Sequence, residues 1–113
     1  MSAHFVYVTA GSEEEARRIA AAAVQERLAA CANMFTGMRS IYRWEGKVAE
    51  DDEIVLILKT RAAQLNPLME RIRSLHSYDC PCIVAWPISA GNPAFLHWIE
   101  QETAESGPRP IEV

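Results

Sequence analysis

An α+β fold, an antiparallel sheet with helices laid on it, is predicted for this 113-residue chain, and three observations predict it. β-Branched and aromatic runs alternate with stretches of helical apolar spacing, in the order strand, helix, strand, strand, helix, strand, helix. The two central strand runs meet at a short Glu45-Gly46 turn, which makes them one long hairpin. The length suits a single domain over residues 1–113, with its core at about 4–104 and a tail at 105–113.

Phe5-Val6-Tyr7-Val8-Thr9 opens the chain as a strand, and Gly11 breaks it. Ser12-Glu13-Glu14-Glu15 has the form of a capping box: the Ser12 hydroxyl accepts from the Glu15 amide, and the Glu15 carboxylate reaches back to the Ser12 amide. Three carboxylates in that first turn also suit the helix dipole. Ala16, Ile19, Ala20, Ala23, Val24 and Leu28 continue at helical spacing, on a narrow alanine-rich face, to an end near Ala30 or Cys31. Of 17 alanines in the chain, many thin this helix and leave the bulkier residues to the sheet.

Residues 33–60 form the hairpin. Ile54-Val55-Leu56-Ile57-Leu58 shows no alternation and is expected to be covered on both faces. Leu65, Leu68, Met69, Ile72 and Leu75 mark a second helix, with an irregular start near Ala62 and a regular course from Pro67 to His76. Cys82-Ile83-Val84-Ala85-Trp86 is the next strand, ended by Pro87. Asn92-Pro93 caps a third helix carrying Phe95, Leu96 and Ile99. Beyond Gly107-Pro108, Ile111 and Val113 are candidates for a short edge strand. The first six elements make the split βαβ, or ferredoxin-like, arrangement βαββαβ, with an extra C-terminal helix. Two helices cover one face of such a sheet. Phe5, Tyr7 and alternate residues of the Ile54–Leu58 run then lie on the other, which calls for a further copy of the chain.

Composition narrows the function. Fifteen acidic residues outnumber eleven basic ones and no basic run occurs, so nucleic acid is not expected as a partner. Apolar runs fall far short of the roughly 20 residues that span a bilayer, so no membrane is expected either. The acidic clusters at Glu13–Glu15 and Glu50–Glu53 fit a helix start and a solvated strand start. Met1–His4 carries no signal-peptide character, and three cysteines do not make a disulfide framework. Both point to a reducing cytoplasm, a processed organelle form being the other reading.

No nucleophile elbow, phosphate-cradling glycine loop or paired-histidine motif is present. The segment His76-Ser77-Tyr78-Asp79-Cys80-Pro81-Cys82 gathers an imidazole, a carboxylate and two thiols within seven residues. Extended, Cys80 and Cys82 would point the same way, and thiolate with imidazole suits Cu(I) or Zn(II). The competing reading makes the cysteines small hydrophobes and the histidine a helix end. Cys31 reads as a helix end against the core, and His4 and His97 as surface or satisfied histidines. Trp44, beside the hairpin turn, either meets another subunit or lines a pocket. Lys59 either snorkels at a strand end or holds an anion.

Five segments carry a family resemblance: Leu28-Ala29-Ala30-Cys31-Ala32-Asn33, Ser40-Ile41-Tyr42-Arg43-Trp44-Glu45-Gly46, Leu58-Lys59-Thr60, His76-Ser77-Tyr78-Asp79-Cys80-Pro81 and Phe95-Leu96-His97-Trp98-Ile99. In order and spacing they resemble the CutA family of divalent-cation tolerance proteins, over roughly residues 4–104. The resemblance implies a ferredoxin-like fold and a tight PII-like homotrimer in which the hairpin reaches a neighbour. It also implies a role in tolerance of copper and other divalent cations, with no required cofactor and no established enzymatic activity. The family's suggested metal ligands fall at His76, at a glutamate position held here by Cys82, and at a first-strand cysteine position held by Val8. His-Ser-Tyr-Asp also stands where His-Pro-Tyr-Glu is usual. The candidate metal set is thus His76 and Cys82, with Cys80 beside them, Cys82 favouring Cu(I). The second candidate is an inter-subunit cleft for a small anionic ligand, lined by Asn33, Tyr42, Trp44, Lys59, Tyr78 and Trp98. A hydrolase of acylphosphatase type ranks last, since Thr9–Ser12 carries no arginine.

Overall fold

Side-chain alternation divides the sheet into two unlike faces. The computed structural model describes residues 2–104. Strand β1 (Ala3–Ala10) is followed by helix α1 (Glu13–Gln25), strands β2 (Cys31–Trp44) and β3 (Lys47–Arg61), helix α2 (Ala62–Leu75), strand β4 (Ile83–Pro87) and helix α3 (Pro93–Glu102). The four strands pair antiparallel in the order β2-β3-β1-β4. This is the α+β, split βαβ arrangement expected from the sequence. Val6, Val8 and Ala10 of β1 and Ile54, Leu56 and Leu58 of β3 form one buried cluster with Ala16, Ile19 and Ala23 of α1 and Leu68 and Ile72 of α2. Both long helices therefore cover the same face. The small residues of α1 let it approach the sheet closely.

The opposite face carries Phe5, Tyr7, Phe35, Val84 and Trp86. Phe5 and Tyr7 meet Trp86 at ring-centroid distances of 5.7 and 6.4 Å. Phe35, Val84 and Trp86 are still 53%, 50% and 41% exposed, so this face is an open apolar surface. The hairpin projects beyond the helices and turns at Glu45 and Gly46, both with positive φ (53° and 79°), as a two-residue primed turn requires. Ile41, Trp44 and Val48 at its tip are exposed.

Several boundaries differ from the sequence reading, each for a local reason. Helix α1 stops at Gln25 because Arg27 enters the left-handed region (φ 62°) and the amides of Leu28 and Ala29 turn back to the Ala23 carbonyl. Cys31 is consequently the first residue of β2, opposite Lys59, and not a helix end. Helix α2 runs unbroken from Ala62 to Leu75 with Pro67 inside it, instead of becoming regular only at Pro67 and reaching His76. Proline there removes a single amide close to the start, and the Ala62 amide is anchored on the Ser2 carbonyl at 2.9 Å. The capping box forms by half: Ser12 Oγ accepts from the Glu15 amide at 3.1 Å, but the Glu15 carboxylate bonds Ser77 instead of the Ser12 amide. Strand β4 begins at Ile83, leaving Cys82 outside it. Pairing with β1 ends at Val8↔Ile83, and the next carbonyl of β1, that of Thr9, is taken by the His76 ring. Ile111 and Val113 lie outside the described residues.

Helix α3 starts as expected, with Asn92 Oδ1 accepting from the Ala94 amide at 3.1 Å and proline in its first turn. Its far end is held from three directions. An Arg27 guanidinium N–H donates to the Gln101 carbonyl at 2.8 Å, and Arg61 Nε and Gln64 Nε2 each donate to the Thr103 carbonyl at 3.0 Å. Among the described residues, no helix is long and apolar enough to cross a membrane.

Candidate functional site

The hairpin bends where β2 slips its register against β3 between Phe35 and Met38. Gly37 takes φ 84° within that bulge, a conformation that favours glycine. The outer half of the hairpin and the segment after α2 then enclose a cleft of about 700 Å³ on the open side of the sheet. Tyr7 and Thr9 of β1 form its base. Met38 to Tyr42 and Trp44 supply one wall, and Tyr78, Asp79, Cys80 and Cys82 the other.

Glu53 sits at the floor and is only 9% exposed. Ser40 Oγ donates to its Oε1 at 2.6 Å and Tyr78 Oη donates to its Oε2 at 2.9 Å. Both donors are neutral, and among the described residues no cationic side chain pairs with Glu53. Arg39, the one guanidinium in the lining, is engaged by Glu50 at 3.1 Å and Asp52 at 3.3 Å. The Tyr7 hydroxyl reaches Met38 Sδ at 3.7 Å, and the Tyr42 hydroxyl donates to Asp51 at 2.5 Å.

Three groups of the cleft hold their protons more tightly than usual. Burial, then the hydrogen bond to Glu53 and the charge of that carboxylate, push the Tyr78 phenol well above its ordinary range. Burial, and after it Glu53, also push the Cys82 thiol up. The bond to Asp51 raises the Tyr42 phenol. For Tyr78 and Cys82 burial is the larger cause and the carboxylate the smaller; for Tyr42 the hydrogen bond to Asp51 leads.

His76 lies behind the cleft, its side chain wholly buried. Its Nε2 is 2.7 Å from the Thr9 carbonyl, and its Nδ1 accepts from the Tyr78 amide at 3.2 Å. Nε2 is thus the donor to Thr9, and the Glu15 carboxylate stands 3.6 Å from Nδ1. Both nitrogens are occupied, and this arrangement presents no imidazole lone pair to a metal. Glu15 completes the support, accepting from the Ser77 amide at 2.6 Å and from Ser77 Oγ at 3.0 Å.

The residues picked from the sequence therefore divide. Tyr42, Trp44, Tyr78, Cys80 and Cys82 share the cleft. Cys80 and Cys82 are exposed free thiols, and Met38 adds a thioether to the same lining. Among the described residues, no three His, Cys, Asp or Glu side chains converge as a metal-binding group. Asn33 and Lys59 lie outside the lining, bonded to each other, Lys59 Nζ donating to Asn33 Oδ1. Trp98 is on α3, stacked on Phe95 at 5.5 Å. Sequence reasoning missed Glu53, Ser40 and Met38. The signal available for Glu53 was parity: it shares the face of Val55 and Ile57, which no acidic-run reading takes into account.

Comparison with known proteins agrees with this architecture. The family model "CutA1 divalent ion tolerance protein" matches residues 4–102. The "Divalent-cation tolerance protein CutA" of Thermus thermophilus is 50% identical over 98 residues, covering 87% of this chain and 95% of that protein. "Protein CutA, chloroplastic" of Arabidopsis thaliana is 45% identical, covering 87% of this chain but 54% of that protein, so the chain spans about half the length of this plant relative. The crystal structure of CutA1 from Oryza sativa superposes with a TM-score of 0.90 at 42% identity, over 94% of this chain and 97% of the other. Matched along nearly the whole of its described length, in sequence and in fold, the chain belongs to the CutA1 divalent ion tolerance family.

Proposed function

We propose that this protein serves in tolerance of divalent metal ions as a homotrimer, without enzymatic activity, and that it binds a thiophilic cation, copper in particular, at Cys80 and Cys82. The observation that carries this reading is that two free thiols and the Met38 thioether line one cleft together with the Glu53 carboxylate. Sulfur donors select soft ions such as Cu(I) over hard ones. His76 enters as the residue that positions the loop bearing the thiols, its own nitrogens being engaged within the fold. A trimer of PII-like form is supported by the open apolar sheet face and the exposed hairpin tip, both of which need a cover. A reducing compartment such as the cytoplasm keeps such thiols available.

Titration of reduced protein with Cu(I) and Zn(II) tests the metal reading. Saturable binding is expected, weakened at least about tenfold by Cys80→Ser with Cys82→Ser. Unchanged affinity in that double variant would overturn it. Sedimentation equilibrium tests the assembly, for which a mass of three chains is expected. An anionic ligand is the weaker reading of the same cleft, because Glu53 and Asp79 would oppose it and the lining's guanidinium is already paired.

A further inference from the structure

Two opposite charges stand at the two ends of one sheet face. Along β3, alternation puts Glu53, Val55, Ile57 and Lys59 on the side that the helices leave open. Lys59 pairs in register with Phe5 of β1, and Ile57 with Tyr7. Glu53 is 9% exposed and accepts from two neutral hydroxyls. Lys59 donates to the neutral side-chain amide of Asn33. Among the described residues, neither charge has an opposite charge beside it. The strand between them spans about 20 Å, too far for the two to meet within one chain.

A further copy laid on this apolar face would strip water from both groups, and a charge sealed unpaired in an interface is costly. A closed ring of three joins unlike patches of neighbouring chains. The Lys59 end of one face can therefore lie on the Glu53 end of the next, which satisfies both charges at once. Other cations are less well placed. Arg17 and Arg18 belong to α1, which covers the opposite face, and Arg39 is held by Glu50 and Asp52. Alternation along β2 turns Arg43 away from the side of Ser40 and Tyr42. We propose that Lys59 of one subunit pairs with Glu53 of the next, so that each cleft is completed by the Asn33 and Lys59 side chains of a neighbour. The inference rests on the homotrimer reading and names the contact between charges that holds its subunits in register. Asn33 and Lys59, outside the lining in one chain, would thereby rejoin Tyr42, Trp44 and Tyr78 across the subunit boundary.

Lys59→Met and Glu53→Gln, made singly and together in the full chain, test the pair. The readout is the urea concentration at which the sedimenting mass falls from three chains to one. Each single change leaves one charge without its partner and is expected to lower that midpoint. The double variant removes both charges and is expected to recover at least about half of the summed loss. Carbodiimide joins a carboxylate to an amine in contact with it. It is expected to link Glu53 to Lys59 in covalent dimers of the parent chain, as read by peptide mass, and not to link Glu53 to Lys47, the other lysine of the chain. Losses that simply add in the double variant, or a carbodiimide product without the Lys59–Glu53 link, would each overturn the pair and leave the trimer standing. A parent chain whose mass is not that of three would overturn the trimer itself, and the pair with it.

Discussion

His76 Nε2 lies 2.7 Å from the carbonyl oxygen of Thr9, a contact that ties the end of α2 to the last residues of β1 through a ring with no exposed surface. The Tyr78 amide takes the other nitrogen, so one imidazole fixes both the strand end and the loop that walls the cleft. Replacing it strands a buried carbonyl and leaves a void. His76→Ala is expected to cost about 3 kcal/mol in urea unfolding at neutral pH. A loss under about 1 kcal/mol would mean that the ring is not a structural tie.

Alkaline unfolding reports on the burial of Cys82 and Tyr78 and, after it, on the Glu53 carboxylate beside them. Cys82 and Tyr78 both hold their protons more tightly when folded than when unfolded. The resulting stabilisation is complete below the ordinary values, 9.0 for the thiol and 10.0 for the phenol, and is lost as pH climbs above them. Unfolding free energy is expected to hold steady from neutral pH and then fall. Cys82→Ser should remove the earlier part of the fall and Tyr78→Phe the later part, as measured by denaturant titration at a series of pH values. The same thiol sets the pH dependence of metal binding: below 9.0, affinity should rise about tenfold per pH unit for each proton that a thiol releases on binding.

Gly11 faces the Tyr78 hydroxyl. A methyl group built on it would sit 3.0 Å from Tyr78 Oη and 3.5 Å from a ring carbon. Gly11→Ala should therefore push the phenol away from Glu53 and destabilise the fold by about 1 kcal/mol. In a Tyr78→Phe background the offending oxygen is gone and the cost should be smaller. The non-additivity of the double-mutant cycle is the measurement.

Ser12 accepts from the Glu15 amide, while the Glu15 carboxylate is committed to Ser77. Ser12→Ala is expected to lose about 1 kcal/mol by thermal or urea unfolding. Glu15→Gln is expected to cost more than a first-turn carboxylate on a free helix would, because it weakens the bonds that hold Ser77 beside His76.

The order and pairing of the elements were legible because apolar alternation and helical spacing are local properties of the chain. Phe5–Thr9, Ile54–Leu58 and Ile83–Trp86 could be read as strands from their own residues. What escaped was set by contacts distant in sequence. The capping-box pattern at Ser12–Glu15 is real, but the Glu15 carboxylate finds a better donor 62 positions away. Glu53 looked like one more charge in an acidic run until the register of the hairpin placed it beneath Tyr78. His76 was recognised as important for its imidazole, yet its surroundings turn that imidazole inward, a fact no spacing records. The stop at Arg27 is likewise a backbone event, at a residue type with no preference for the left-handed region.

The groups that hold the end of α3 come from the loop after α1, the last residue of β3 and the first turn of α2. None of them stands in position until the hairpin has paired with β1 and both long helices lie on the sheet. Helix α3 is thus expected to settle late as the chain folds and to come away early as it opens. Changes along α3 should act on the rate of unfolding and leave the rate of folding nearly untouched.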